Sequence, residues 1–123
     1  MGYTTDFEGE FNITPPLNQE QVERLNNFSE DRHGGNLTPD PGMPGFWCDW
    51  VTNNEGTTLS HNGSEKSYNY EGWLNYLIKN FFRPWGVTVN GRVFWSGEDV
   101  RDVGTIIIEN NVITLLNGVI SEG

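Results

Sequence analysis

The chain has 123 residues, 17 of them acidic and seven basic, and its formal net charge of −10 argues against binding to nucleic acid or anionic membranes, which need a basic surface. The same charge permits docking on a basic protein, or serves only solubility. We expect one domain over residues 1–123, because this length buries a core without disulfides or metal. The single Cys48 and the lack of any apolar run near ~18 residues predict a cytoplasmic protein.

The first predicted element is a strand from Tyr3 to Ile13, in which two sets of side chains alternate strictly. One set is largely apolar, and the other contains Asp6, Glu8 and Glu10. The strand should therefore have one buried face and one wet, acidic face.

A short helix is predicted next, ending near Asp31. Asn18 is its expected N-cap, with Gln21 as the partner in a capping box. Leu17 and Val22 have the spacing of a hydrophobic staple.

A long loop and a hairpin follow. Residues 32–45 contain four glycines and three prolines without a period, which predicts a loop. Phe46 to His61 is predicted to be a hairpin that turns at residues 53–56. A four-residue turn would place Cys48 opposite His61 and Trp50 opposite Leu59.

The strongest helical pattern starts at Asn69, the predicted cap, and stops before Pro84. Its apolar residues recur at i, i+3 and i+4, so one stripe must face a core. They are Trp73, Leu74, Leu77, Ile78, Phe81 and Phe82. Burial of each contributes roughly 1.5–3 kcal/mol before entropy is subtracted, so this helix should organise the core.

Two hairpins are predicted after this helix, one turning at Asn90-Gly91 and one from Thr105 to Leu116 turning at Asn110-Asn111. A two-residue second turn places four apolar residues on one face, namely Ile106, Ile108, Ile113 and Leu115. Residues 117–123 are expected to form a frayed tail. The order β-α-ββ-α-ββ-ββ predicts an α+β domain with both helices on one face of a largely antiparallel sheet.

The sequence contains residues that could form a catalytic or metal-binding site, but none of them completes a known motif. Cys48 with His61 or His33 would be a nucleophilic pair, but no acid is placed beside Cys48 and His61 to orient the imidazole. Cys48 and His61 would also make only half of a zinc site. Glu98, Asp99 and Asp102 could hold Mg²⁺ or Ca²⁺, although their spacing is not that of a calcium loop. The sequence indicates no nucleotide phosphate loop and no cofactor.

A surplus of aromatic residues favours binding. Five tryptophans exceed what one helical stripe needs, so some either close the ends of the core or line a ligand or partner site. The candidate ligand- or partner-binding residues are Trp47, Glu65, Lys66, Tyr68, Trp85, Arg92, Trp95, Glu98 and Asp99. A separate acidic face for a basic partner would consist of Asp6, Glu8, Glu10 and Glu23.

Several short motifs carry a family resemblance. They are Tyr3, Thr5, Phe7, Gly9 and Phe11 in the first strand, then Pro44-Gly45-Phe46-Trp47-Cys48-Asp49-Trp50, Glu65-Lys66-Ser67-Tyr68, Pro84-Trp85-Gly86, Asn90-Gly91 and Gly97-Glu98-Asp99. In these residues the chain resembles a family of small, acidic, uncharacterised proteins of bacteria and bacteriophages. The resemblance implies a phage or prophage setting, and it implies no activity.

Three functions are therefore weighed. We expect a non-enzymatic binding protein, phage-encoded or prophage-derived, that binds or sequesters a host protein or a nucleotide-like ligand in counter-defence or host takeover. The first alternative is a small hydrolase or metal-dependent enzyme that uses Glu65, Glu98, Asp99 or His61. The second is an accessory subunit of a larger assembly, recognisable by a contiguous apolar patch left exposed in the isolated chain.

Overall fold

A computed structural model describes residues 5–34, 41–45, 47–63 and 69–117. Its elements are β1 (Thr5–Thr14), α1 (Gln19–Glu30), β2 (Trp50–Thr52), β3 (Thr58–His61), α2 (Tyr70–Leu77), a π-helical segment (Ile78–Phe82), β4 (Thr88–Gly97), β5 (Val103–Glu109) and β6 (Val112–Asn117). No helix in these ranges is long and apolar enough to cross a membrane. The predicted tail, apart from Asn117, lies outside the described residues, as do Glu65, Lys66 and Tyr68.

The strands form one antiparallel sheet of six strands in the order β2-β3-β1-β4-β5-β6. This confirms the predicted α+β class. Both helices contribute their buried residues to the same core as one face of the sheet, which we call the inner face. The opposite face, which no described helix covers, is called the outer sheet face below.

The inner face shows how alternation in sequence becomes a core. Phe11 of β1 lies opposite Leu59 of β3 on one side and opposite Gly91 of β4 on the other. Phe11 and Leu59 are both buried, and so are Val93 and Ile106 in the next row. The alternation predicted for β1 is therefore confirmed over the described part of that strand.

Helix α1 begins as its sequence predicts. The Gln21 N–H donates to Asn18 Oδ1 at 2.8 Å, and the Asn18 N–H donates to Gln21 Oε1 at 3.0 Å, which is the reciprocal capping box. Leu17 and Val22, the two residues of the predicted staple, are both buried.

All six apolar residues of the predicted helical stripe are buried, although the helix changes type along its length. After Leu77 it widens into the π-helical segment, where the Arg83 N–H donates to the Ile78 carbonyl at 2.9 Å. The wider turn lets the adjacent Phe81 and Phe82 both enter the core. The predicted side-chain cap at Asn69 is wrong, because its Nδ2 instead donates to the Pro44 carbonyl at 3.0 Å.

The hairpin predicted at Asn90-Gly91 is absent, because both residues lie inside the continuous strand β4. Gly91 has a positive φ of 140°, which a residue with a side chain rarely adopts. Here that conformation allows close approach, since a Cβ on Gly91 would lie 3.0 Å from the Cα of Phe11. Pairing with β1 and β5 on both sides outweighs the local turn signal, and the chain turns instead after Gly97.

The register predicted for β2 and β3 is also wrong. Trp50 lies opposite His61 and Thr52 opposite Leu59, so six residues, 53–58, separate the last paired residues instead of the expected four. The Asn53 side chain sets this length, because its Oδ1 accepts from the N–H groups of residues 57 and 58 at 2.8 and 3.2 Å. Cys48 precedes the strand and has no strand partner.

The last hairpin matches its prediction. Asn110 and Asn111 have φ of 49° and 68°, and Glu109 pairs with Val112 across a two-residue turn. The Asn111 side chain ties this turn to the start of β4, accepting from the Val89 N–H at 2.7 Å and donating to the Val87 carbonyl at 3.1 Å.

Candidate functional site

The outer sheet face is built from the residues that alternate with the buried ones. One cross-strand row on this face runs from Glu8 through Phe94 and Thr105 to Leu116. A second, parallel row runs from Glu10 through Arg92 and Ile107 to Thr114. Each row changes from acidic at β1 to apolar or uncharged at β6.

The apolar side of this face is exposed. Phe94 is 46% exposed, Leu116 41% and Val112 59%, which places them among the few large apolar side chains that the described part of the chain leaves in solvent. Thr105 lies between Phe94 and Leu116 in the same row and is buried. An antiparallel sheet often keeps one polar face toward water, so exposed apolar side chains on its open face, two of them in one row, point to a contact surface.

The acidic side of the face is formed by three residues of the predicted acidic face. Asp6, Glu8 and Glu10 alternate along β1 and are all exposed on the outer sheet face. Glu23, the fourth residue predicted for that group, is exposed on α1, and α1 packs against the inner face. Glu23 therefore lies on the other side of the domain.

The predicted ligand-binding residues that are described do not converge on one site. Trp85 precedes the ten-residue strand β4 and Glu98 follows it, so their backbones lie about 30 Å apart at opposite ends of that strand. Arg92 is exposed on the outer sheet face, whereas Trp95 is buried on the inner face. Trp47 lies in the segment before β2 and is 45% exposed.

Most of the aromatic surplus serves the core. Trp50, Trp73 and Trp95 are buried. Trp85 is half-buried and meets the Phe81 ring edge-on, with 5.4 Å between the ring centroids, so it closes one end of the core. Trp47 is the one tryptophan of the five with more than a third of its surface exposed.

Neither Cys48 nor His61 has a pKa near neutral pH, where nucleophilic and general-base catalysis are most effective. Burial raises the pKa of the Cys48 thiol to about 11, so the nucleophilic thiolate is scarce. Burial lowers the pKa of His61 to about 4. The His61 ring stacks on Phe7 with centroids 4.1 Å apart, and its Nδ1 accepts from the Gly63 N–H at 3.1 Å.

The carboxylates of the β4–β5 turn have structural partners. Asp99 Oδ1 accepts from the backbone N–H of Arg101 at 2.8 Å, and this bond, followed by the Arg101 side chain, lowers the pKa of the carboxyl. Asp102 Oδ1 accepts from Trp95 Nε1 at 3.0 Å. Among the described residues, no group of three His, Cys, Asp or Glu side chains could hold a metal ion.

A shallow cavity of about 190 Å³ lies between the start of α1 and the turn before β4. Its lining is polar apart from one ring, and consists of Asn18, Glu20, Gln21, Arg24 and Trp85. Ligand pockets for organic molecules are typically ~300–1,000 Å³ and mostly apolar, so this cavity is a poor match for a nucleotide-like ligand.

The exposed apolar residues of the outer sheet face were not among the sequence candidates. A signal for Phe94 exists in the sequence, since Arg92, Phe94 and Ser96 alternate with the apolar Val93 and Trp95. Continuing β4 through Asn90-Gly91 would have placed Phe94 on the solvent side.

Compared with protein-family models, curated proteins and solved structures, the chain matches none.

Proposed function

We propose that this protein is a non-enzymatic binding protein whose outer sheet face binds a basic protein. The observation that carries the proposal is the juxtaposition on one open face of exposed apolar side chains, led by Phe94, and the β1 carboxylates Glu8 and Glu10. A partner with an apolar contact ringed by lysine or arginine complements both halves of this surface.

Each half has a distinct physical role. Phe94 and Leu116 supply apolar area, and aromatic residues such as Phe94 are enriched in the cores of protein interfaces. Asp6, Glu8 and Glu10 supply a negative potential that accelerates encounter with a basic partner and decays with salt. The net charge of −10 acts in the same direction.

A phage or prophage origin, and sequestration of a host protein as the biological role, extend the same proposal. They rest on the family resemblance and on the acidity of the chain. A small acidic protein suits this role because its charge can occupy a basic groove that otherwise binds nucleic acid.

The test is comparative capture from bacterial lysate with matched variants. Phe94→Ser and Glu8→Lys/Glu10→Lys alter the outer sheet face. Trp47→Ser removes an equally exposed aromatic elsewhere, and Glu20→Lys/Glu23→Lys makes the same charge change on α1.

We expect one or more basic proteins to be lost with both outer-face variants and retained with both controls. Their release by salt should be steep, because the contact includes exposed charges. Equal retention by all four variants, or loss only with the controls, would refute the outer sheet face as the binding surface.

A further inference from the structure

The two edges of the sheet differ in how well they are protected against pairing with another strand. At the β2 edge the Thr52 N–H donates to Asn26 Oδ1 at 2.9 Å, and Asn26 Nδ2 donates to the Thr52 carbonyl at 3.1 Å. The amide of α1 thus takes the hydrogen bonds that a further strand would take. This edge is also only three residues long, so it is protected against pairing with another chain.

The β6 edge carries none of the usual protection within the described residues. Its six residues, Val112–Asn117, include no charged residue and no proline. Within the described part of the chain, β5 is the only strand that pairs with it. Val112 and Leu116 on this strand are 59% and 41% exposed. An uncharged edge strand with exposed apolar side chains is a template for strand addition.

The turn before β6 fixes which backbone groups point outward. In a hairpin with a two-residue turn, the closing pair exchanges hydrogen bonds, and here that pair is Glu109 and Val112. Bonding then alternates along the strand, so the N–H and C=O groups of Ile113 and Leu115 are directed away from β5.

We propose that β6 pairs antiparallel with β6 of a second copy of this chain, about a two-fold axis at Thr114. In this register Ile113 lies opposite Leu115 of the second copy, and these are the residues with outward-directed backbone groups. Val112 lies opposite Leu116 of the second copy, so the two exposed apolar side chains of each strand cover each other.

The residues of β6 are complementary to those of an antiparallel second β6, which is why we propose a second copy of this chain as the partner of this edge. Under this axis every apolar residue of β6 meets an apolar residue, and Thr114 meets itself. No residue of β6 is charged, so the paired strands add no local repulsion between two copies that each carry a net charge of −10. A basic partner would gain no charge complementarity there. One strand pair is a small contact, so we expect a weak dimer with a dissociation constant on the order of 10–100 µM.

The test is sedimentation velocity from 1 to about 300 µM in moderate and high salt. The wild-type chain should shift from 13.9 kDa toward twice that mass as concentration rises, and more readily in high salt, which screens the net charge. Thr114→Lys and Thr114→Glu each place like charges across the axis, and each should weaken dimerisation at least about tenfold. An equimolar mixture of these two variants should form a heterodimer.

The control is Asn12→Lys, which adds the same charge on β1 of the outer sheet face and should leave the dimer within about twofold of wild type. A wild-type chain that stays at 13.9 kDa at every concentration would overturn the proposal. If Thr114→Lys and Thr114→Glu both then lost a protein captured by wild type, the edge would belong to a different chain, because a basic partner of the outer sheet face would be repelled by the Lys variant alone. A dimer that both Thr114 variants leave intact would also overturn it. None of these outcomes depends on the basic partner of the outer sheet face.

Discussion

Replacing His61 by Phe should remove a specific part of the protein's acid sensitivity. The folded chain holds the neutral imidazole, with a pKa of about 4 against 6.5 for the ordinary group, because burial disfavours the cation. The hydrogen bond from the Gly63 N–H also requires an unprotonated Nδ1. Phe keeps a ring to stack on Phe7 but loses the titration and the hydrogen bond from Gly63, and the loss of that bond lowers stability equally at every pH where the imidazole is neutral.

The sign of the effect follows from the lowered pKa. Above pH 6.5 His61 is neutral in the folded and unfolded chains, so its stabilisation is fully present. Between pH 6.5 and 4 only the unfolded chain takes up the proton, and stability falls as pH falls. The full shift corresponds to about 3.4 kcal/mol at 1.36 kcal/mol per pKa unit, and screening at a partly exposed ring reduces this to roughly 2 kcal/mol.

The assay is urea denaturation of wild type and His61→Phe at several pH values from 7.5 to 4. Titration of the carboxylates is common to both proteins and cancels in the difference. We expect wild type to lose about 2 kcal/mol more than the variant over this range. Parallel curves, or an NMR titration of His61 with a pKa near 6.5, would refute the assignment of a buried neutral imidazole.

Three further predictions concern the core and the protected edge. Gly104→Ala should destabilise the fold by about 1–3 kcal/mol in urea denaturation, because its Cβ would collide with the Trp95 ring; an unchanged midpoint would contradict this packing. Cys48, with a pKa of about 11, should react with a thiol reagent at pH 8 orders of magnitude more slowly in the native chain than in urea, and comparable rates would contradict its burial. Asn26→Ala should cost about 1–3 kcal/mol in urea denaturation by leaving the backbone groups of Thr52 unpaired, and an unchanged midpoint would contradict the protection of this edge by Asn26.

The features that the sequence predicted correctly are local ones. The capping box at Asn18 and Gln21 depends on residues three apart, and the Asn110-Asn111 turn depends on two residues that tolerate positive φ. The buried stripe of the long helix depends only on helical spacing. In each case the neighbouring residues determine the structure, so a single sequence is enough.

The features that failed depend on partners distant in sequence. Asn90-Gly91 has the local chemistry of a turn, but pairing with β1 and β5 on both sides keeps it extended. The outer sheet face could not be assembled from the sequence, because Glu8, Phe94 and Leu116 become neighbours only through the register of three strand pairings. The prediction that Glu23 belongs to the acidic face was wrong for the same reason, because the position of Glu23 depends on which face of the sheet α1 covers.

Hydroxyl-radical footprinting of the protein with and without its captured partner tests the binding surface most directly. Phe94 and Trp47 are a matched pair within one molecule, being 46% and 45% exposed, and both rings react readily with the radical. Phe94 also lies two strands away from the β6 edge, so dimerisation through β6 leaves it open. We predict that the partner reduces oxidation of Phe94 several-fold and leaves Trp47 unchanged. Protection of Trp47 with Phe94 still fully reactive would contradict the account.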